Sequence, residues 1–154
     1  MKPLSNHERH AAPALFKNHP RELQRLSICV LLIGLHSLCL GAFVYLFTNS
    51  FYDLFFGVAV ENFFFVQQAG LFLFCLGLFY LVPLADLKSH HRSLDIIIIS
   101  KLMAVSFLVS STHLVPRPLT IVLACIGDGL MAGLLIWFSH AAGLLFKASG
   151  KSPL

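Results

Sequence analysis

Apolar residues run almost unbroken through four stretches of this chain, at 26–47, 63–84, 94–115 and 119–138, and polar residues gather in the gaps between them. Each stretch holds about 20 residues, enough for a helix to cross a hydrocarbon core of roughly 30 Å. The pattern predicts one domain of four transmembrane helices at 26–140, with a basic leader at 1–25 and a short basic tail at 141–154. The links between the second and third spans and between the third and fourth are short, so both pairs must be antiparallel neighbours. The first link, 48–62, is longer. In it Ser50 precedes Asp53 in the manner of a capping box, and Phe51, Tyr52, Phe55 and Phe56 supply an apolar face. A short helix lying in the outer interface is expected there. Pro20 suits a first helical turn, which predicts that a cytoplasmic extension of the first helix begins there. The expected fold is all-α: an integral membrane up-down-up-down four-helix bundle with both termini cytoplasmic.

Composition agrees. Hydrophobic residues make up 57% of the chain and charged residues 12%, and a soluble chain of this length could not bury that much apolar surface. The first span is too long for the apolar region of a cleavable signal peptide, so it is expected to stay as a membrane helix. Charge sets the expected orientation. Lys2, Arg9, Lys17, Arg21 and Arg25 precede the first span, Lys88 and Arg92 lie in the second link, and Lys147 and Lys151 lie in the tail. The other side has Arg117 alone, in the turn Val115-Pro116-Arg117-Pro118. That asymmetry predicts an N-in, C-in protein, expected in a bacterial inner membrane. The net charge of +4 follows from the same asymmetry and from attraction to anionic lipid headgroups. The lipid bilayer is the expected partner, and nucleic acid is not.

Small residues mark candidate packing faces. Gly34 and Gly41 are seven apart in the first span, and Gly70 and Gly77 repeat the spacing in the second. Cys125, Gly129 and Gly133 form a small-xxx-small ladder in the fourth. Such faces could equally serve a homodimer or a larger membrane complex.

Two charges fall inside spans, and ionisable groups there usually have a function. Asp128 is near the middle of the fourth span, between Gly127 and Gly129. Its short side chain cannot reach water, so it is expected either as a neutral carboxyl bonded to a serine on a neighbouring helix or as a group facing a partner or a water-filled cavity. Lys101 lies close to the cytoplasmic start of the third span, and its long stem favours snorkelling to the headgroups. An ion pair with Asp128 is the alternative. Folding the last hairpin about its prolines puts Asp128 level with Ser106, leaving Lys101 about 7 Å away along the axis. His36, the one histidine deep in a span, falls near Asp128 in depth, so a His36–Asp128 hydrogen bond is a rival to the lysine pair.

No two histidines are matched for a haem, and none form an i, i+4 metal pair; neither metal nor cofactor is expected. Cys29, Cys39, Cys75 and Cys125 all lie in spans and read as small packing residues. Near the outer face, Glu61 suits the N-terminus of the second helix. Gln67 and Gln68 could join Ser106, Ser110, Ser111, Thr112 and His113 in a polar cleft opening outward. The serines could instead bond to their own backbone.

The length, the four spans, the run Leu76-Gly77-Leu78-Phe79-Tyr80 before a basic loop, and Gly127-Asp128-Gly129 together resemble the small four-helix membrane proteins called DoxX-like. The resemblance implies the four-helix fold and carries no active-site residue across. Three functions follow as expectations. The leading one is a noncatalytic accessory or interaction subunit, using the glycine faces and the aromatic outer loop. The second is a small carrier or lipid/quinone-binding bundle using Asp128 with His36 or Lys101. A membrane enzyme ranks last, because no nucleophile–base set is evident.

Overall fold

A computed structural model describes residues 19–57, 62–114 and 118–145. The basic residues at 1–18, Glu61, the turn 115–117 and the tail residues Lys147 and Lys151 lie outside the described part. All regular structure among the described residues is helical: α1 His19–Leu46, α2 Thr48–Phe56, α3 Phe63–Leu81, α4 His91–Ser111 and α5 Pro118–Ala141. Short 3-10 turns, Val82–Ala85 and Thr112–Leu114, extend α3 and α4. Four of the five helices are long and apolar enough to cross a membrane; α2 is the exception. α1 starts at His19, with Pro20 in its first turn, where its missing N–H costs no hydrogen bond. α4 begins three residues before its apolar stretch, and α5 runs three residues past the end of its own. Apolar length measures hydrocarbon thickness, whereas hydrogen bonding carries a helix on into the interface.

The first link departs from expectation in detail. α2 follows α1 after a single break at Phe47 (φ −120°, ψ 45°), and Ser50 lies inside the helix, not at its cap. The junction is stabilised instead by Thr48, whose hydroxyl donates to the Val44 carbonyl at 2.8 Å. Phe47 also keeps its carbonyl occupied, accepting from Phe51 N at 2.9 Å. α2 therefore begins three residues earlier than a cap at Ser50 would allow. It ends at Gly57, whose φ of 69° closes the last turn through a bond from its N–H to Asp53 O. Next in the chain, Asn62 caps α3, its side chain accepting from Phe64 N at 3.0 Å. Between α3 and α4, Asp86 organises the polar turn. Its carboxylate accepts from Ser89 Oγ at 2.5 Å and from Lys88 N at 2.9 Å. The Ser89 hydroxyl first, and then the backbone N–H groups, hold this carboxyl below its usual value.

Two antiparallel pairs make up the bundle. α1 and α3 meet through glycine. A Cβ placed on Gly41 would lie 2.4 Å from Phe74 N, one on Gly77 2.7 Å from Leu38 N, and one on Gly70 2.8 Å from Tyr45 N. The two backbones thus touch over several turns, an approach only glycine permits. α4 and α5 pack more openly. A Cβ on Gly129 would reach only Val105, at 4.0 Å, and one on Gly133 would meet nothing. The ladder Cys125–Gly129–Gly133 is thus not a close-packing face among the described residues, which corrects the expectation drawn from its spacing. Spacing reports that residues share a face, not that another helix lies on it.

The four long helices share a core at one end of the bundle. Leu26, Val30 and Ile33 of α1 meet Tyr80 of α3, Leu94, Ile97 and Ile98 of α4, and Leu135 of α5. Arg21, Arg25, Lys88 and Arg92 belong to the same end, since they flank the start of α1 and the α3–α4 turn. Toward the other end α1 and α3 stay in contact, and α2 sets Phe51, Phe55 and Phe56 against a cavity among the helices. The Thr120 hydroxyl on α5 donates to Phe55 O at 3.0 Å, tying α2 to α5.

Candidate functional site

Midway along the bundle, Lys101 Nζ lies 2.6 Å from Asp128 Oδ1. Both side chains are largely shielded, at 7% and 18% exposure. Snorkelling is therefore not the outcome. The register explains why. Cys125 Sγ lies 4.0 Å from Val105 O, and Val105 is also the nearest neighbour of Gly129. Asp128 falls between those two positions on the same face, and Lys101 sits one turn before Val105. A lysine stem spans the remaining step of about one turn, roughly 5 Å. Bringing the charges together also removes the cost of leaving a lone carboxylate among apolar helices, which snorkelling would not do.

The pair faces a cavity of about 360 Å³ to which every helix contributes. His36 and Ser37 come from α1, Phe51, Phe55 and Phe56 from α2, Tyr80 from α3, Ser100 and Ala104 from α4, and Ala124 from α5. Polar groups collect at the Lys101–Asp128 level, while the phenylalanines of α2 close the other end. Tyr80 OH and Ser100 Oγ are 2.6 Å apart. Because Ser100 gives its only proton to Ile97 O, at 2.9 Å, the tyrosine is the donor in that bond. Ser37 is different. Its side chain is fully buried, and its hydroxyl has no hydrogen-bond partner. A buried hydroxyl without a partner is costly and uncommon in native proteins.

Two further hollows adjoin this cavity along the α1–α5 seam. One, of about 310 Å³, shares His36, Leu40, Ala124 and Asp128 with it and reaches out past Gly127. The other, of about 430 Å³, is an apolar groove lined by Cys29, Leu32, Ile33, Met131, Leu134 and Phe138, with Arg25 and His36 also on its wall. His36 lines all three. It thus stands where the seam meets the cavity, and Asp128 bonds Lys101 rather than the imidazole.

Other residues singled out by the sequence are not brought here. Ser106 is exposed on the outside of α4, and its hydroxyl donates to Leu102 O at 2.9 Å. Ser110 and Thr112 likewise bond to their own helix. Gln68 and His113 are exposed and Gln67 is half-buried, and none of them lines the cavity. Cys29 is buried, but Cys39 and Cys75 are exposed on the outer surface and so do not pack the interior. Among the described residues, no three His, Cys, Asp or Glu side chains gather as metal ligands.

Several cavity residues went unnoticed in the sequence: Ser37, Ser100, Tyr80 and the α2 phenylalanines as a cover. A signal did exist. His36-Ser37 and Ser100-Lys101 each set an ionisable residue beside a serine inside an apolar stretch, and ionisable groups within membrane helices almost always face the interior. Comparison with protein-family models, with curated proteins and with solved structures found no match to this chain.

Proposed function

We propose that this chain is a small-molecule-binding membrane bundle, holding the polar part of a membrane-soluble compound beside the Lys101–Asp128 pair. The observation that carries this reading is a cavity of about 360 Å³ lined by a shielded ion pair and, in Ser37, by a hydroxyl with no partner. Ligand pockets of this kind combine mostly apolar walls with a few convergent polar groups. An accessory subunit is the weaker proposal. Its support was the glycine faces and the aromatic first link. Gly41, Gly70 and Gly77 are engaged between α1 and α3, and Phe51, Phe55 and Phe56 line the cavity.

The proposed setting is an up-down-up-down bundle with both ends in the cytoplasm of a bacterial cell, supported by the basic residues of the leader, the second link and the tail. Kinship with the DoxX-like proteins remains a proposal resting on the motifs quoted above.

Ala124→Phe tests the binding reading, since Ala124 lines both the cavity and its opening between α1 and α5. Both proteins are extracted from membranes in polymer nanodiscs and the bound small molecules are measured by mass spectrometry. Wild type should retain a compound in near-stoichiometric amount that the helical, monodisperse variant has lost. Equal recovery from the two proteins, or none from wild type, overturns the proposal.

A further inference from the structure

Resting on the binding role proposed above, we infer that the bound molecule is an uncharged amphiphile whose head offers carbonyl oxygens and whose chain leaves the cavity between α1 and α5. Charge comes first. Lys101 and Asp128 already neutralise each other at 2.6 Å. A charged head would bring an unbalanced charge into a low-dielectric site, which is expensive. A neutral head avoids that cost.

The hydrogen-bond inventory then selects acceptors. The Lys101 ammonium has three protons, of which Asp128 Oδ1 takes one. Ser37 Oγ is fully buried, lines the cavity, and has a proton with no acceptor. The Tyr80 and Ser100 hydroxyl protons are already committed, to Ser100 Oγ and Ile97 O. Ser37 on α1 and Lys101 on α4 thus present donors from either side of the cavity and call for an oxygen acceptor between them. A carbonyl oxygen meets that demand without adding charge.

The way out follows from the seam. Past His36 and Asp128 the cavity adjoins the opening at Gly127, where a Cβ would meet nothing within 4 Å. From there the groove toward Arg25 is walled by Leu32, Ile33, Met131 and Leu134. A single aliphatic chain fits that lining, and a compact polar solute does not. Two sources share this chemistry: an isoprenoid quinone and a glyceride ester.

Four probes separate the possibilities on the protein in nanodiscs of zwitterionic lipid: a short-chain quinone, monodecanoylglycerol, decanoate and decylamine. Binding counts only where Ala124→Phe, and independently Ala104→Phe, abolishes it, so that partition into the bilayer is subtracted. At least one of the two neutral probes should bind, and which one identifies the source. Ser37→Ala, a change of one oxygen atom, should weaken that probe about threefold to tenfold, the loss of one hydrogen bond. Preferential binding of decanoate or decylamine, or an unchanged affinity in Ser37→Ala, overturns the neutral-acceptor assignment and leaves the binding role standing. If no probe shows binding sensitive to the two phenylalanine variants, the assignment and the binding role fall together.

Discussion

Helices α1 and α3 meet backbone to backbone, whereas α4 and α5 meet through side chains. In the first pair, glycine removes the side chains from the contact, so dispersion and close peptide approach hold the helices together. In the second, the contacts include a valine against a cysteine and a glycine, and one ion pair. The difference teaches where a small membrane bundle can keep room for a ligand. Apolar side chains gain nothing by leaving lipid for one another, so an open half collapses only if its shapes match. Here the glycine seam supplies rigidity, and the α4–α5 side keeps its polar groups apart from the packing.

The comparison is broken most severely at the glycine seam. Gly41→Leu places side-chain atoms against the Phe74 backbone, which cannot move aside. Overpacking costs about 1–3 kcal/mol in forgiving sites and more where backbone is the obstacle. The expected outcome is loss of the folded, monodisperse protein, read by detergent melting and size exclusion; a wild-type melting temperature would refute the close seam.

Next in size is the ion pair. Lys101→Met leaves Asp128 alone and should destabilise by about 2.5–3.5 kcal/mol, the cost of a lone charge at a helix centre. Adding Asp128→Leu should recover most of that loss, because two well-packed apolar residues often equal a buried pair. A double variant as unstable as the single one would mean that the pair is itself a major structural support. The smallest effect belongs to Gly133→Leu, on the exposed face of α5 where a Cβ meets nothing. Within about 0.5 kcal/mol it should melt like wild type. A large loss, or a change in oligomeric state, would show that this face is covered in the membrane.

Much of the fold was legible in the chain because hydropathy and hydrocarbon thickness are matched quantities. The four spans emerged within a few residues, and Pro20 marked the first turn of α1. The misread places have physical causes. Ser50 looked like a cap because its neighbours fit the motif, but Thr48 bonds back onto α1 and starts α2 earlier. Lys101 looked like a snorkelling lysine because it lies close to the start of its span, and a hairpin folded about the prolines set it about 7 Å from Asp128. The packed register of Val105 against Cys125 shortens the gap to Asp128. Ser106 matched Asp128 in depth, yet it points away, since depth along a helix says nothing about azimuth around it.

The sequence alone determined that four segments are apolar enough to cross a membrane, that basic residues cluster before the first, between the second and third, and after the fourth, and that one carboxyl lies far from any polar end. These are one-dimensional properties, set by composition along a line. The tertiary structure decided the rest: which glycines touch, that Lys101 rather than His36 takes the carboxyl, and that Ser37, Tyr80 and the α2 phenylalanines surround one cavity. Those outcomes depend on the rotation of each helix about its axis, which packing between neighbours sets and a hydropathy pattern on nearly uniform helices leaves open.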